Sequence, residues 1–171
     1  AAIWATGRTW WQVPPVARVT LSGRLRPGVT GKDVIITLAG YFNEDQVLNH
    51  AIEFAGAGVE TLSVDARLAI ANMTTEWGAL AGIFPIDART FEWIRTRAEA
   101  VAARGLAGVP SDADAREGEH PRMNLTRLAA LEASYPQADE DAYYAKEITL
   151  DLASVEPYIA GPHNLKTMTS G

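Results

Sequence analysis

The chain has 171 residues, a formal net charge of −6 and no cysteine. This length suits one domain of ordinary size with a buried core, and the scattered basic residues argue against nucleic acid or an anionic membrane as a partner. Within the chain, the lack of cysteine excludes disulfides, zinc–thiolate sites and cysteine-held iron–sulfur clusters, and no apolar stretch is long enough to cross a bilayer.

The first half of the chain predicts alternating strands and helices. Apolar and polar residues alternate over residues 17–25, which is typical of a strand with one buried face. Thr30 and Asp33 resemble a capping box, and the apolar residues after them have the spacing of a helix. The β-branched residues 34–36 favour a strand instead. We predict a helix here. Residues 50–54 then predict a short buried strand, and residues 62–76 predict a helix.

The second half of the chain continues this alternation. An apolar run at residues 80–84 is followed by the clearest helical pattern of the sequence, over residues 90–104. Residues 106–122 are rich in glycine and acidic side chains and predict an exposed loop. A short helix over residues 124–132 and a strand over residues 148–152 complete the order. Strands separated by helices of this length predict a three-layer α/β/α domain with a mostly parallel or mixed sheet.

The most informative local pattern is an amide and a carboxylate four residues apart, Asn72 and Glu76, just before the small residues Gly78 and Ala79. On a continuous helix this spacing places both polar side chains on one face, where they point at a common spot. A solvated helical face is the alternative interpretation of the same residues. We take Asn72 and Glu76 as the candidate catalytic residues.

Other polar patterns are weaker candidates for a site. Residues 28–33 lack the four residues between the first glycine and the Gly-Lys pair that a phosphate-binding loop requires. An acidic cluster lies at Asp112, Asp114, Glu117, Glu119 and His120. It does not match a calcium loop, because Arg116 stands where an oxygen donor is needed. The three histidines show no metal-ligand spacing, and no Gly-X-Ser-X-Gly turn supports a Ser-His-Asp triad.

A set of uncommon sequence strings occurs in series along the chain. They are residues 28–36, 52–54, 65–68, 70–79 and 84–85. In this order and spacing they resemble the aconitase superfamily, over nearly the whole chain from Trp10 to about Pro162. Residues 111–114 and 143–152 are similar to the homoaconitase branch of that superfamily rather than to aconitase proper.

The resemblance implies a hydro-lyase that interconverts cis-homoaconitate and homoisocitrate in lysine biosynthesis. Its four-iron, four-sulfur (4Fe-4S) cluster is held by three cysteines that lie outside this chain, so no metal ligand is expected here. The residue matching Asn72 lies beside the cluster without binding it, and the residue matching Glu76 reaches the iron-bound water or the substrate hydroxyl. Gly78 and Ala79 would let the backbone pass close to the cluster without side-chain collision.

The resemblance further implies that the chain is an internal fragment of a larger enzyme. Residues 1–155 correspond to a segment of the second domain, and residues 156–171 to a linker or the start of the next domain. The expected partners are the remaining domains and, in the intact enzyme, a tricarboxylate substrate, in the mitochondrial matrix. Alone, the segment is expected to bind no cofactor and to be inactive. Trp10 and Trp11 are expected in an interface or core.

Three alternatives remain open at this stage. Two lie in the same superfamily, namely aconitase itself and an isopropylmalate isomerase, which differ in the substrate side chain. The third is a folded fragment that serves as a non-enzymatic interaction module.

Overall fold

The computed structural model describes residues 2–104 and 124–161 and the backbone of residues 164–170. The strands are β1 Val16–Ser22, β2 Ala51–Ala55, β3 Ala81–Ile83, β4 Lys146–Asp151, β5 Tyr158–Gly161 and β6 Asn164–Ser170. The α-helices are α1 Ala2–Thr6, α2 Gly31–Tyr41, α3 Val64–Met73, α4 Ala88–Arg104 and α5 Leu125–Ala133. Short 3₁₀ turns occur at Val59–Thr61, Thr74–Trp77 and Leu152–Ser154.

The first four strands form one parallel sheet in the order β3-β2-β1-β4. In its register, Val19 of β1 lies between Phe54 of β2 and Ile148 of β4. The chain steps from β1 to β2 to β3 in one direction and then returns to the opposite edge as β4. Because parallel crossovers are right-handed, α2 and α3 cover one face of the sheet, and α4 and α5 lie on the other. The predicted three-layer α/β/α fold is confirmed.

The alternating pattern of β1 places its apolar side chains in the main core. Ala17, Val19 and Leu21 have no exposed surface, and they pack with buried residues of β2, β4, α2 and α3. The strand ends at Ser22, three residues earlier than predicted, because Gly23 takes a positive φ of 66°. The core therefore lies between the sheet and the α2–α3 layer.

Helix α2 confirms the helical prediction for the segment with β-branched residues. Thr30 N donates to Asp33 Oδ2 (2.8 Å), which is the expected capping interaction. Val34, Ile35 and Ile36 are all buried, the first two in the main core, and burial outweighs their weak preference against helix. Residues 28–33 thus form a helix start rather than a phosphate-binding loop.

The α4–α5 layer and strand β4 also match the predicted elements, whereas α1 and the antiparallel pair β5–β6 were not predicted. α4 begins two residues before the predicted position, and its stripe residue Ala98 is buried. α5 is capped by Asn124, whose Oδ1 accepts from Arg127 N (2.8 Å). Its end meets α4 where the ring of Tyr135 packs edge-on against Phe91. The predicted loop at residues 106–122, with its acidic cluster, lies outside the described residues.

A buried ion pair joins α3 to the start of α4. Both terminal nitrogens of Arg67 donate to the carboxylate of Asp87, at 2.9 and 2.6 Å, and Arg67 also donates to the carbonyl oxygen of Val59 (2.9 Å). Asp87 Oδ1 in turn accepts from Thr90 N (3.0 Å) at the first turn of α4. Burial by itself raises the pKa of Asp87, but the hydrogen bonds from Arg67 and Thr90 outweigh it and lower that pKa.

A second buried carboxylate, that of Asp33, fastens the chain after β4 to α2. Asp33 is 2% exposed, and its Oδ1 accepts from the backbone N–H of Tyr158 (3.1 Å) and lies 2.9 Å from the Lys32 ammonium. Burial raises the pKa of Asp33, but hydrogen bonds from Tyr158, Thr30 and Lys32 outweigh it and lower the pKa to about 2. The division into residues 1–155 and 156–171 stays a prediction.

The lowered pKa of Asp33 predicts a specific loss of stability in acid. A carboxylate whose folded pKa lies below its unfolded pKa stabilises the protein above the unfolded pKa, and that stabilisation disappears as the pH falls through the folded pKa. For a shift from 3.8 to about 2, the contribution is about 2 kcal/mol at neutral pH. Asp33→Asn should therefore lower the free energy of unfolding by about 2 kcal/mol at pH 6. Urea unfolding at pH 6 and pH 3 should show a smaller difference between variant and wild type at pH 3.

Candidate active-site turn

The turn that carries Glu76 is built at the end of α3. Ser63 caps the helix start by accepting from Ala66 N (3.1 Å), and the helix ends at Met73. The chain then tightens into the 3₁₀ turn Thr74–Trp77. Gly78, at φ 98°, closes this turn.

The backbone around Gly78 makes the paired hydrogen bonds of a Schellman motif. Gly78 N donates to Thr75 O (3.0 Å), and Ala79 N donates to Thr74 O (3.1 Å). The left-handed conformation at Gly78 explains the glycine, since a side chain there would be strained. Ala79 is buried, so its small side chain serves packing in this chain and offers no surface to a ligand.

The predicted continuous helix over residues 62–76 is wrong at its end. Asn72 lies on the last turn of α3, whereas Glu76 lies on the following 3₁₀ turn. A 3₁₀ turn has about 3.0 residues rather than about 3.6, which rotates Glu76 away from the position directly above Asn72. The Thr75 hydroxyl donates to the Asn72 carbonyl oxygen (3.2 Å), which is a local alternative to the helical hydrogen bond.

The side chains of Asn72 and Glu76 are both exposed. Both lie in the described part of the chain, and no hydrogen bond or ion pair there joins them or ties them to another side chain. Their polar atoms are therefore available to a group outside this chain. The structure places the two residues on successive turns, Asn72 at the end of α3 and Glu76 on the 3₁₀ turn, without a bond between their side chains.

The neighbouring Trp77 holds this exposed turn to the core. Its side chain is 1% exposed, and its indole Nε1 donates to the carbonyl oxygen of Phe42 (2.7 Å), just after the end of α2. The ring of Phe42 lies 6.3 Å from that of Trp77. Sequence reasoning missed this role. The sequence feature that could have predicted this anchoring role is a large aromatic residue placed between the acidic Glu76 and the glycine that ends the turn.

We expect Trp77→Phe to loosen the turn and lower the activity of the intact polypeptide. The change leaves the Phe42 carbonyl without its donor and leaves a cavity, which should lower the free energy of unfolding by about 2 kcal/mol. Turnover should fall by roughly tenfold or more, since small displacements of catalytic groups are costly. Urea unfolding and an activity assay measure the two effects.

Trp93→Phe is the matched control for Trp77→Phe. Trp93 Nε1 is buried but has no hydrogen-bond partner among the described residues, so its removal should cost no hydrogen bond. If the two variants lose the same turnover, Trp77 has no specific positioning role.

The turn lies at the amino end of the parallel sheet. Gly78 O accepts from Asn49 N (2.9 Å) and His50 O accepts from Leu80 N (2.8 Å), immediately before β2 and β3 begin. In open α/β sheets, ligands usually bind outside the carboxyl ends of the strands. Asn72 and Glu76 therefore lie at the end of the sheet opposite to the usual one, so fold alone would not have located them.

Residues 2–104, 124–161 and 164–170 contain no group of three or more histidine, cysteine, aspartate or glutamate side chains that could hold a metal ion. His50 Nδ1 lies 2.9 Å from the backbone oxygen of Leu48 and is occupied there.

In the same described ranges, no helix is long and apolar enough to span a bilayer.

The chain is thus a segment of a three-layer α/β protein. It exposes a carboxylate, that of Glu76, and an amide, that of Asn72, at the amino end of its sheet. The chain matches the aconitase family (aconitate hydratase) over residues 1–170. This chain belongs to the aconitase family, and the resemblance predicted from the sequence is confirmed.

Relatives within this family are much longer than the chain. The mitochondrial homoaconitases of Mycosarcoma maydis and Yarrowia lipolytica are each 53% identical to it over 99% of its length. That of Emericella nidulans is 54% identical, also over 99%. The chain spans 23%, 22% and 21% of these three proteins. It therefore corresponds to a fragment of such a protein.

Proposed function

We propose that this chain is a segment of a homoaconitate hydratase, a hydro-lyase that interconverts cis-homoaconitate and homoisocitrate in lysine biosynthesis, and that it supplies one wall of the active site. The observation that supports the substrate class is the 53–54% identity to proteins named mitochondrial homoaconitase over 99% of the chain. A location in the mitochondrial matrix is part of the proposal, and the word "mitochondrial" in the names of the same relatives supports it. The remaining domains of the polypeptide are its proposed partners. Neither nucleic acid nor a membrane is proposed as a partner.

The 4Fe-4S cluster expected in such an enzyme must be held by residues outside this chain. There is no cysteine in the sequence, and cysteine thiolates are the usual cluster ligands. When bound, such a cluster would supply an iron that acts as a Lewis acid toward a substrate oxygen. Asn72 is proposed to lie near that cluster as a neighbour, not as a ligand. The isolated segment is accordingly proposed to be inactive.

Glu76 is proposed to manage the proton of the hydroxyl group that is added or removed. In hydration, its carboxylate accepts a proton from the water whose oxygen bonds to one carbon of the double bond, while a second acid–base group, supplied by the rest of the polypeptide, gives a proton to the other carbon. In dehydration, that second group removes the proton from its carbon, the released electron pair forms the carbon–carbon double bond, and Glu76 returns a proton to the departing hydroxyl, which leaves as water. The Asn72 amide is proposed to orient the hydroxyl by a hydrogen bond without adding charge. The exposure of both side chains supports these roles.

The proposed substrate can be tested by assaying the full-length polypeptide, loaded with iron and sulfide, on three substrates. Hydration of cis-homoaconitate should be faster than hydration of cis-aconitate, which has one methylene fewer, and faster than isopropylmalate isomerisation. A preference for either of the other two substrates would assign the chain to another branch of the family. No hydratase activity on any of them would contradict the proposed function.

A further inference from the structure

A cavity of about 700 Å³ lies between the chain that follows β3 and the chain that follows α5. Its walls are residues 83–86 and 135–138, and the described residues that line it include one carboxylate, that of Glu53. A cavity of this volume is typical of sites for small molecules. Glu53 pairs in register with Ile83, the last residue of β3. The cavity therefore lies toward the carboxyl end of that strand, where ligands of open α/β sheets usually bind.

The Glu53 side chain points away from the main core. Its neighbours Ile52 and Phe54 are buried in that core, and successive side chains of a strand point to opposite faces of the sheet. Glu53 therefore faces the α4–α5 side, whereas Asn72 lies on α3, on the other side. A tricarboxylate substrate would be repelled by the Glu53 carboxylate, so the cavity is separate from the site proposed at Glu76.

The Glu53 carboxylate is partly buried and lacks a cationic partner. Its Oε1 accepts from the hydroxyl of Tyr144 (2.8 Å), and this hydrogen bond is the main cause that raises the pKa of Tyr144. Arg18 is the register partner of Glu53 on β1, but its guanidinium lies over the Tyr144 ring, 5.2 Å from the ring centre. Among the described residues, no lysine, arginine or histidine forms an ion pair with Glu53.

The surroundings of Glu53 favour an ammonium ion over other cations. A partly buried carboxylate is costly to hold until a countercharge compensates it. Because Oε1 is occupied by Tyr144, the second oxygen, Oε2, is the one left to accept a strong hydrogen bond. A guanidinium uses both oxygens for its paired bonds, whereas an ammonium binds as a point charge. The cavity walls suit an alkyl chain, since they include the aliphatic and aromatic side chains of Ile83, Phe84, Ile86 and Tyr135.

We propose that this cavity binds a small organic ammonium ion, whose charged group donates to the Glu53 carboxylate and whose alkyl chain packs between residues 83–86 and 135–138. The ammonium supplies the countercharge that the described part of the chain does not provide. Such a ligand lies on the face of the sheet opposite to α3. Its binding therefore does not depend on the chemistry proposed for Glu76.

Isothermal titration calorimetry of the full-length polypeptide with n-pentylamine near neutral pH tests this inference. The amine is protonated under these conditions, as a lysine side chain is, and n-pentanol is an uncharged probe of nearly the same size. We expect n-pentylamine to bind at one site and at least about tenfold more tightly than n-pentanol, because hydrogen bonds to charged groups are the stronger ones. Equal affinities, or no binding of n-pentylamine, would overturn the inference.

Glu53→Gln and Glu147→Gln are a matched pair of variants. The two glutamates flank Arg18 in the sheet register, but Glu147 is exposed and is not among the described residues that line the cavity. Glu53→Gln keeps an acceptor for Tyr144 and should weaken n-pentylamine binding by about tenfold or more. Glu147→Gln should leave the affinity unchanged. Equal losses in the two variants, or none at Glu53, would overturn the role of Glu53.

Ala138→Trp tests the position of the ligand without altering Glu53. Ala138 is exposed and lines the cavity, so an indole there should fill part of the space and weaken n-pentylamine binding by about tenfold. Ala133→Trp, at an exposed residue of α5 outside the lining, should not. Unchanged affinity in Ala138→Trp would overturn the placement in this cavity. Binding by a protein without hydratase activity would support the inference and contradict the proposed function alone.

Discussion

Replacing Glu76 with glutamine in the full-length polypeptide is expected to lower turnover by roughly 10²- to 10⁴-fold, the range associated with general acid–base groups. The amide keeps the size and hydrogen-bonding reach of the carboxylate but can neither accept nor return a proton at that position. Because Glu76 is exposed in this chain, the free energy of unfolding should change by no more than about 0.5 kcal/mol. Steady-state kinetics and urea unfolding of the same preparation measure the two quantities.

Glu99→Gln is the matched control for Glu76→Gln. Glu99 is an exposed glutamate on α4, in the layer on the opposite side of the sheet from α3. Its replacement should leave turnover and stability unchanged. Similar losses of turnover in the two variants would reject a catalytic role for Glu76 and favour the solvated-face interpretation.

Removing the Arg67 side chain is expected to lower the free energy of unfolding by about 3–5 kcal/mol, because it leaves the partner carboxylate without its countercharge. The Arg67 side chain is 4% exposed and that of Asp87 24%. Arg67→Ala also removes one of the two donors of the Val59 carbonyl oxygen, which keeps its hydrogen bond from Leu62 N (3.0 Å). A loss of this size exceeds that expected at Asp33, since the charged Asp87, which also caps α4, loses its countercharge and the Val59 carbonyl loses one hydrogen bond.

Two further variants test the geometry of the Arg67 ion pair. Arg67→Lys keeps the charge but cannot make both hydrogen bonds to Asp87 at once, so an intermediate loss is expected. Arg26→Ala breaks an exposed ion pair with Glu156, in which both side chains are 51% exposed, together with one hydrogen bond to the carbonyl oxygen of Val155 (3.1 Å). Exposed pairs contribute about 0–1 kcal/mol. A loss at Arg67 as small as that at Arg26 would contradict the assignment of a buried, stabilising pair.

The pH dependence of this pair follows from the lowered pKa of Asp87. The carboxylate contributes stability above the ordinary pKa of an aspartate, and this contribution is lost as the pH falls through the lowered value. In Arg67→Ala the main cause of the lowering is gone. The difference in stability between wild type and variant should therefore shrink in acid.

The local elements were predictable because their causes are local. The alternation that makes β1 a half-buried strand and the stripe that makes α4 amphipathic depend on residues next to one another in the sequence. The same holds for the capping pair Thr30 and Asp33, which begins α2. Even the glycine that ends the turn after Glu76 was visible, since its conformation is set by its own backbone.

The site was only partly predictable because its geometry depends on contacts between distant residues. The bond from Trp77 to Phe42 joins residues 35 positions apart, and the ion pair of Arg67 with Asp87 joins residues 20 positions apart. Neither pairing follows from periodicity. The switch from α-helix to 3₁₀ turn before Glu76 was likewise missed, since the i, i+4 spacing assumes a helix that continues.

By itself the sequence determined the order of strands and helices from β1 to β4, the layered fold and the family, because hydrophobic periodicity and uncommon local strings are properties of adjacent residues. Only the tertiary structure decided that the chain from Asn72 to Glu76 lies at the amino end of the sheet, tied to the end of α2 by the hydrogen bond from Trp77. The reason is that strand order and the packing of α3 on β3 arise from contacts between segments far apart in the chain, and the same contacts determine which apolar side chains are left uncovered.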